Sequence, residues 1–324
     1  MATVAILGSG AVGLFYGSQL VLAGHAVRFW LRRDLVRIRS HGLTVVTAGS
    51  HDVAGLAPPG IHLAPERFRA CASAEECLAG APLDWLLVAV KTTQLEAILP
   101  QVARLCVEAG TRVVTMCNGI GIEERLAPVV GAHRLFAALA HVCLERRADA
   151  TIDHQAHGKL LLGHARDEPG PLQVLSELIA GAGISCYQVG SLREARWRKL
   201  AWNLPYNGLS VVMGRDGWDT VQIMADPPSR LLVRALMEEV IQVANADLRA
   251  AGSIALIEEA WCDEMLRRTE SMGPYLTSTL RDWRAGLPCE IDSLFAEPVA
   301  RAARLAIAAP RMAMLLALLR SRMP

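Results

Sequence analysis

The chain has 324 residues, a length typical of two domains rather than one. It carries 33 Lys and Arg against 32 Asp and Glu, a formal charge of +1, which leaves no basic excess for nucleic acid or an anionic membrane. Hydrophobic residues make up 52% of the chain, yet no apolar run reaches the roughly 18 residues of a membrane span. Composition therefore argues against nucleic-acid partners and membrane insertion.

The amino terminus and the cysteines indicate the cellular compartment. Residues 1–8 lack the basic start and the small-residue cleavage site of a signal peptide, and we interpret them as a first β-strand. The eight cysteines are scattered and form no Cys-x-x-Cys pair, a pattern typical of reduced, mostly buried thiols. We expect a cytoplasmic protein.

The first half of the chain alternates strand-like and helix-like segments. Four apolar runs predict strands, and helical patterns follow the first, third and fourth of them: Val4–Leu7, Ala26–Leu31, Leu83–Val90 and Arg112–Cys117. Apolar strands separated by helices indicate a parallel sheet with both faces covered. Between residues 135 and 163, two further apolar runs flank a polar middle, which predicts antiparallel strands at the sheet edge.

The second half of the chain is helical in pattern almost throughout. Ser191 and Glu194 have the spacing of a capping box, so a second domain is predicted to begin at residue 190. Further on, Asp226 precedes two prolines and a long amphipathic pattern, which predicts a helix running to about residue 250. The sequence therefore predicts an α/β domain over residues 1–189 and an all-helical domain over residues 190–324.

A glycine-rich segment, Gly8-Ser9-Gly10-Ala11-Val12-Gly13, lies directly between the first predicted strand and the first predicted helix. In this setting Gly8 makes the tight turn, Gly10 lets the backbone approach a pyrophosphate, and Gly13 allows close packing of helix and strand. The helix amino terminus then offers N–H groups and a positive dipole end to phosphates. The first domain is therefore predicted to be a Rossmann-type dinucleotide-binding domain. A glycine-rich turn without chemical meaning is the alternative.

The second predicted strand ends in residues 30–34, Trp-Leu-Arg-Arg-Asp, at the place that usually selects the cofactor. No acid precedes the arginines, and a guanidinium can pair with the 2′-phosphate of NADP, so Arg32 is predicted to bind NADPH. Alternatively, both arginines are solvated and Asp34 accepts a hydrogen bond from the ribose of NAD. Lys91 and Asn118 follow the third and fourth predicted strands, where such sheets bind their ligands.

A row of polar side chains opens the second domain. Lys199, Asn203 and Asn207 lie four residues apart, which places one ammonium and two amides along one helix face. An ordinary solvated face is the alternative, but the many apolar neighbours argue against it. Pro205 cannot donate to the carbonyl group of Ala201, so we expect the helix to kink or break there, which leaves the direction of Asn207 open.

In their order along the chain, these motifs resemble those of the ketopantoate reductase family, which couples an NADPH-binding Rossmann domain to a helical C-terminal domain. The resemblance covers nearly the whole chain and includes Glu290-Ile-Asp292. It implies NADPH-dependent reduction of a 2-oxoacid, most simply ketopantoate to pantoate, with Lys199 as proton donor and Glu290 as the second catalytic residue. It implies substrate contacts from Asn118, Asn203, Asn207 and Ser278, and cofactor contacts from Gly8, Ser9, Gly10, Ala11, Val12, Gly13, Arg32, Lys91 and Asn118.

Two departures from the family pattern leave the substrate open. Residues 293–296 read Ser-Leu-Phe-Ala where the family commonly has an Asn-Gly pair, which adds the ring of Phe295, and Gly208 stands after Asn207 where a proline is common. A reductase of another keto acid is therefore one alternative. A protein that senses NADPH without turnover is another, against which Lys199 argues, because sensing needs no proton donor.

Other signals carry less. His154 and His157 are interpreted as polar residues of a hairpin, so we expect no metal site. The apolar run Met312–Leu319 predicts a helix that either packs on its own domain or forms the interface of a homodimer, and the sequence does not distinguish these two interpretations. The expected ligand besides NADPH is a small 2-oxoacid.

Overall fold

The computed structural model describes residues 1–47, 60–106 and 110–323. The chain forms two compact units. The N-terminal unit comprises Met1–Cys117 and Ile122–Leu192, and the C-terminal unit comprises Asn118–Gly121 and Arg193–Pro324. Among the described residues, no helix is both long and apolar enough to cross a membrane.

The N-terminal unit contains a mixed sheet and its covering helices. Its strands are β1 (Thr3–Leu7), β2 (Ala26–Trp30), β3 (Leu43–Thr47), β4 (Gly60–Leu63), β5 (Arg69–Cys71), β6 (Trp85–Val88), β7 (Arg112–Thr115), β8 (Leu135–Arg146), β9 (Ile152–His164) and β10 (Cys186–Gln188). Its α-helices are α1 (Ala11–Leu22), α2 (Leu35–His41), α3 (Ala74–Leu78), α4 (Leu95–Leu105), α5 (Ile122–Val130) and α6 (Pro169–Gly181).

The sheet has the strand order β4-β3-β9-β8-β7-β6-β1-β2-β5, and β10 pairs with β9. The four strands predicted from apolar runs are its parallel centre, β2-β1-β6-β7, as expected. The antiparallel pair predicted after residue 135 is β8 with β9. Its predicted place at the sheet edge is wrong, because β3 and β4 continue the sheet beyond β9. Strands β3, β4 and β5 are three to five residues long and contain polar residues such as Thr44, His62 and Arg69, so they form no apolar run in the sequence.

The centre of the sheet is buried on both faces, which explains why most positions of its central strands are apolar. In β1, Val4 and Ile6 point into one core together with Phe15 of α1. The alternate residues Ala5 and Leu7 point into a second core. Because strand side chains alternate between faces, a strand covered on both sides has no polar positions to show a period of two. The α/β class predicted for this unit is confirmed.

The C-terminal unit is helical and surrounds one hydrophobic core. Its helices are α7 (Leu192–Val212), α8 (Thr220–Ala225), α9 (Pro227–Ala250), α10 (Ala260–Met272), α11 (Ser278–Arg284), α12 (Glu297–Arg304) and α13 (Pro310–Arg322), with a π-helical turn at Asp292–Ala296. The predicted long helix is confirmed as α9, whose N-cap Asp226 accepts a hydrogen bond from the backbone N–H of Ser229 at 3.0 Å.

Of the kink or break expected at Pro205, the break does not occur, since α7 continues to Val212. Pro205 still removes the N–H that would bond the carbonyl of Ala201. The neighbouring side chains Leu204 and Tyr206 are fully buried, so tertiary packing holds the helix together across the missing bond.

Phe295 lies in the core of the C-terminal unit rather than at an open surface. A Cβ added to Gly208 would meet Phe295 Cε1 at 3.0 Å and Leu315 Cδ2 at 2.5 Å. The two departures from the family pattern therefore belong together, because the missing side chain at Gly208 makes room for the ring of Phe295. The effect of this ring on substrate choice stays a prediction, and the structure adds that the ring packs inside the C-terminal core.

Candidate active site

In the N-terminal unit, the glycine loop is shaped by close packing against the strand end after β6. Gly8 has φ +121°, and a Cβ there would lie 2.5 Å from the carbonyl oxygen of Ala89, so only glycine fits. Gly13 packs against Ile6 and Ala89 with a hypothetical Cβ at 3.2 and 3.1 Å. The predicted turn and packing roles of these two glycines are confirmed.

Gly10 differs from both, because nothing lies closer than 4.0 Å to its hypothetical Cβ. It is the N-cap of α1, and its carbonyl accepts from the N–H of Leu14 at 3.1 Å. In the part of the chain that the structure describes, no side chain caps this helix. The first-turn N–H groups of α1 and the open space beside Gly10 fit a pyrophosphate.

Arg32, Lys91 and Gln94 follow the two strands that flank β1, the strand that leads into the glycine loop. Arg32 follows β2, and Lys91 begins the 3₁₀ turn Thr92–Gln94 after β6, while β1 lies between these strands. Arg32 Nη2 donates to Gln94 Oε1 at 2.6 Å. Two cations and one amide thus stand at the carboxyl ends of parallel strands, a set that fits the ribose phosphate of NADP.

In the C-terminal unit, Lys199 of α7 contacts the loop Asn118–Gly121. Its Nζ donates a hydrogen bond to Asn118 Oδ1 at 2.9 Å. Burial, assisted by the positive charge of Arg196, lowers the pKa of Lys199 to about 7, and the carboxylate of Glu290 acts in the opposite direction. Lys199 can therefore both hold and release a proton near neutral pH, as a general acid must.

The loop that carries Asn118 is fixed to the C-terminal unit by its backbone. Arg196 Nη1 donates to the carbonyl oxygen of Gly119 at 3.3 Å, and the N–H of Ile120 donates to the carbonyl of Ser293 at 3.2 Å. Gly119 has φ +94°, and a Cβ there would lie 2.5 Å from that same carbonyl. Ser293 belongs to the π-helical turn that follows Glu290, so this irregular turn holds the loop beside the glutamate.

Asn203 and Asn207 follow Lys199 along α7, one helical turn after another. Asn207 Oδ1 accepts from the hydroxyl of Ser278 at 3.3 Å and from the N–H of Thr279 at 3.2 Å. Its Nδ2 donates to the carbonyl of Asn203 at 2.9 Å. The structure thus brings two predicted substrate residues, Asn207 and Ser278, into direct contact. The side chain of Asn207 is buried, whereas Ser278 is exposed.

A buried carboxylate holds the start of α7. Asp247 Oδ2 of α9 accepts from Trp197 Nε1 at 2.8 Å, from Arg193 Nη1 at 2.9 Å and from Arg301 Nη1 at 3.1 Å. Burial alone would raise the pKa of Asp247, but these donors lower it overall. Since Trp197 lies two residues before Lys199, this network fixes the rotation of the helix that carries the lysine.

Sequence reasoning missed two residues that the structure adds to these clusters. Gln94 lies three residues after Lys91, and a polar residue in the turn after a cofactor-side strand is its only signal. Arg196 lies three residues before Lys199, hence on the same helix face. It was overlooked because arginine in a basic run is normally solvated, whereas here it is 5% exposed.

Comparison with known proteins agrees with this arrangement. The model of the family "Ketopantoate reductase PanE/ApbA" matches residues 4–167, and that of "Ketopantoate reductase PanE/ApbA C terminal" matches residues 191–323. The chain belongs to the ketopantoate reductase family. It is thereby an NADP-dependent oxidoreductase, and its Rossmann-like and helical parts match those of the family.

Individual relatives of the family align over nearly the full length. A 2-dehydropantoate 2-reductase of Nostoc sp. is 31% identical over 313 residues, which cover 95% of this chain and 91% of the relative. The crystal structure of 2-dehydropantoate 2-reductase from Geobacter metallireducens is 35% identical, with a TM-score of 0.88 over 98% of this chain and 99% of that chain. The corresponding structure from Methylococcus capsulatus is 28% identical, with a TM-score of 0.82 over 98% and 96%.

Proposed function

We propose that the protein reduces 2-dehydropantoate to pantoate with NADPH, and that Lys199 donates the proton. The observation that carries this proposal is the hydrogen bond of Lys199 Nζ to Asn118 Oδ1, made by a lysine whose pKa is near 7. A structural lysine at a protein surface would keep a pKa near 10. A desolvated lysine beside a carboxylate and an amide is typical of a proton-transfer site.

Lys199 acts on the oxygen of the ketone. Bound NADPH supplies the hydride that reduces the carbonyl carbon. The negative charge that develops on the carbonyl oxygen is stabilised by the ammonium, which then transfers a proton from Nζ and leaves an alcohol. Glu290 favours the charged form of Lys199 before transfer, and Asn118 holds the direction of the ammonium. The neutral amine then recovers its proton from water.

The remaining site residues bind and orient. Residues 8–13 hold the pyrophosphate with backbone N–H groups, and Arg32 and Lys91 pair with the phosphate of the ribose. In the C-terminal unit, Asn203 and the hydroxyl of Ser278 hydrogen-bond the carboxylate and hydroxyl groups of the substrate. Asn118 and Asn207 contact the substrate as well, and Asn118 also contacts the cofactor. Asn207 in addition keeps Ser278 in position through the contact at 3.3 Å.

Two alternatives lose support. Phe295, the reason to expect a different keto acid, packs in the core against Gly208. A protein that only senses NADPH transfers no proton, so it does not require a lysine with a lowered pKa beside a carboxylate. Burial of a lysine costs stability, and a lysine kept at this cost is typical of a group that takes part in proton transfer.

The test is NADPH oxidation with ketopantoate and with a panel of other 2-oxoacids, followed by absorbance. We expect the highest kcat/KM with ketopantoate. Tight NADPH binding with no turnover of any 2-oxoacid would contradict the enzyme, whereas faster turnover of another acid would contradict only the substrate.

Three further features belong to the same proposal. The two domains divide between residues 189 and 190, three residues before the N-terminal compact unit ends at Leu192. The protein acts in the cytoplasm, in keeping with eight cysteines that are all free thiols. It forms a homodimer through the C-terminal unit.

The surface proposed for the dimer lies along α13. This helix packs Met312 and Leu315 into the core but leaves Met314 and Leu318 54% and 46% exposed. They line a groove of about 250 Å³ with apolar residues of α7 and α9. A mostly apolar groove with exposed side chains is typical of a protein contact surface, and in a homodimer two copies use the same surface. Sedimentation of the wild type should give the mass of a dimer. Met314→Lys should lower this mass toward that of a monomer, whereas the control Val221→Lys, at an exposed site of α8, should leave it unchanged. A monomeric wild type would contradict the proposed dimer.

A further inference from the structure

The end of β2 carries two groups that favour different cofactors. Arg32 suits the 2′-phosphate of NADP, whereas an acid near this position accepts a hydrogen bond from the ribose 2′-hydroxyl of NAD. Asp34 is such an acid, two residues after Arg32. It precedes α2 directly, and its backbone is left-handed with φ +58°. An unoccupied carboxylate at Asp34 would favour NAD and act against the preference of Arg32 for NADP.

Asp34 is bound by an arginine from a distant part of the chain. Arg146 Nη2, at the last residue of β8, donates to Asp34 Oδ2. The side chains are 15% and 30% exposed, so water screens this pair less than a surface ion pair. The carboxylate that would serve NAD is thus held by a cation within the protein.

The sheet itself brings Arg146 to this place. Arg146 pairs with Ile152 of β9, and Ile152 pairs in turn with Val45 of β3. Strand β3 begins just after α2, the helix that Asp34 precedes. The β8–β9 hairpin is therefore fixed beside the segment that follows the cofactor-selecting strand end, and the contact between Arg146 and Asp34 is part of the fold.

We propose that Arg146 determines cofactor specificity: by binding Asp34, it removes the carboxylate that would accept the ribose hydroxyl of NADH and repel the 2′-phosphate of NADPH. This rests on the proposed function insofar as the reductase uses NADPH. Without Arg146, an uncompensated carboxylate would stand two residues from Arg32. NADPH binding would then weaken through repulsion, and NADH binding would gain an acceptor.

The test compares NADPH with NADH in four proteins: wild type, Arg146→Met, Asp34→Asn and the double variant. Dissociation constants are measured by nucleotide fluorescence without substrate, and kcat/KM is measured with ketopantoate. Arg146→Met should lower the preference for NADPH about tenfold, the effect of one charged contact. Adding Asp34→Asn should restore the preference, because the exposed carboxylate is then gone.

Matched variants separate specificity from folding. Arg146→Lys keeps the charge and should keep the preference. Arg147→Met removes a neighbouring arginine that binds Asp153 at 2.8 Å and should change nothing. If Arg146→Met weakens both nucleotides equally, or if Asp34→Asn fails to restore the ratio, the proposal is wrong. Failure of the wild type to reduce any 2-oxoacid would contradict the proposed function, while the ratio of dissociation constants would still decide the role of Arg146.

Discussion

The two units present their functional groups in opposite ways. The N-terminal unit offers backbone N–H groups beside open space at Gly10, together with the exposed side chain of Arg32. The C-terminal unit offers side chains that are largely withdrawn from water, among them Arg196 and Glu290. A cofactor with several phosphates is recognised well by many weak, preorganised donors. Proton transfer instead needs one group whose charged form is made less stable, and burial supplies this.

This difference predicts how each unit responds to substitution. Changes in the C-terminal unit should alter the rate of the chemical step and its pH dependence. Changes in the glycine loop should alter nucleotide affinity through space and backbone shape.

The largest effect is expected for Lys199→Met, which removes the proton donor while keeping a side chain of similar length. We expect kcat to fall by about 10²- to 10⁴-fold, the usual contribution of a general acid. The dissociation constant of NADPH should stay within about twofold, because Lys199 is not among the groups proposed to hold the nucleotide. Steady-state kinetics and nucleotide titration measure the two quantities. A variant with unchanged kcat would remove Lys199 from the mechanism.

The next largest effect concerns Gly8 and Gly10, whose substitution by alanine should have different consequences for nucleotide affinity and for stability. Gly10→Ala adds a methyl group where space is open and φ is −74°, so the protein should fold normally while its NADPH affinity falls about 10-fold or more. Gly8→Ala adds a clash at 2.5 Å and a strained φ, so it should also lower the free energy of unfolding by about 1–3 kcal/mol.

Gly170→Ala is the matched control for these two variants, since its hypothetical Cβ meets nothing within 4 Å and its φ is not positive. It should change neither affinity nor stability beyond about 0.5 kcal/mol. Equal NADPH affinity in Gly10→Ala and wild type would show that the pyrophosphate does not approach Gly10.

The same contrast explains what could be predicted from the sequence. The glycine loop is a local motif, and Gly8 and Gly13 have the roles that spacing alone assigns to them. The row on α7 follows from helical periodicity. By contrast, the contact between Arg146 and Asp34 joins residues 112 positions apart, and no local pattern reports it. It depends on the pairing of β8, β9 and β3.

The packing relation between two departures from the family pattern is likewise absent from any local pattern. Gly208 and Phe295 appear in the sequence as two separate changes beside site residues. In the structure the two residues pack against each other, and the absence of a side chain at Gly208 leaves space for the ring of Phe295. Likewise, Pro205 breaks a rule of helix formation, but the buried neighbours of α7 outweigh one lost hydrogen bond.

A smaller effect is expected for Arg196→Gln. Arg196 lowers the pKa of Lys199, and Glu290 raises it, so removing the arginine should raise this pKa by up to about one unit. Ketone reduction needs protonated Lys199, and the alkaline limb of kcat/KM should therefore move from about pH 7 toward higher pH. Pantoate oxidation needs the neutral amine and should move in the same direction at its acid limb.

Arg198→Gln is the control, because Arg198 binds Glu194 at 2.7 Å on another side of the helix. Its pH profile should match that of the wild type. If both variants shift the limb equally, the effect is one of total charge, and Arg196 has no particular influence on Lys199.

The smallest effect is a gain in stability from Lys199→Met. Folding lowers the pKa of Lys199 from 10.5 to about 7, so the charged lysine opposes folding below pH 7. Between pH 7 and pH 10.5 Lys199 is neutral in the folded protein and charged in the unfolded chain. Unfolding therefore takes up a proton in this range, and the stability of the wild type should rise with pH. Lys199 is partly exposed, and its hydrogen bond to Asn118 is lost on substitution. We therefore expect Lys199→Met to raise the free energy of unfolding at pH 6 by only about 1–2 kcal/mol, or Tm by roughly 2–4 °C. The gain should shrink toward pH 10. A variant that is less stable than wild type at pH 6 would mean that Lys199 is not a strained catalytic group but an ordinary structural contact of the loop, and the contrast between the two units would lose its basis.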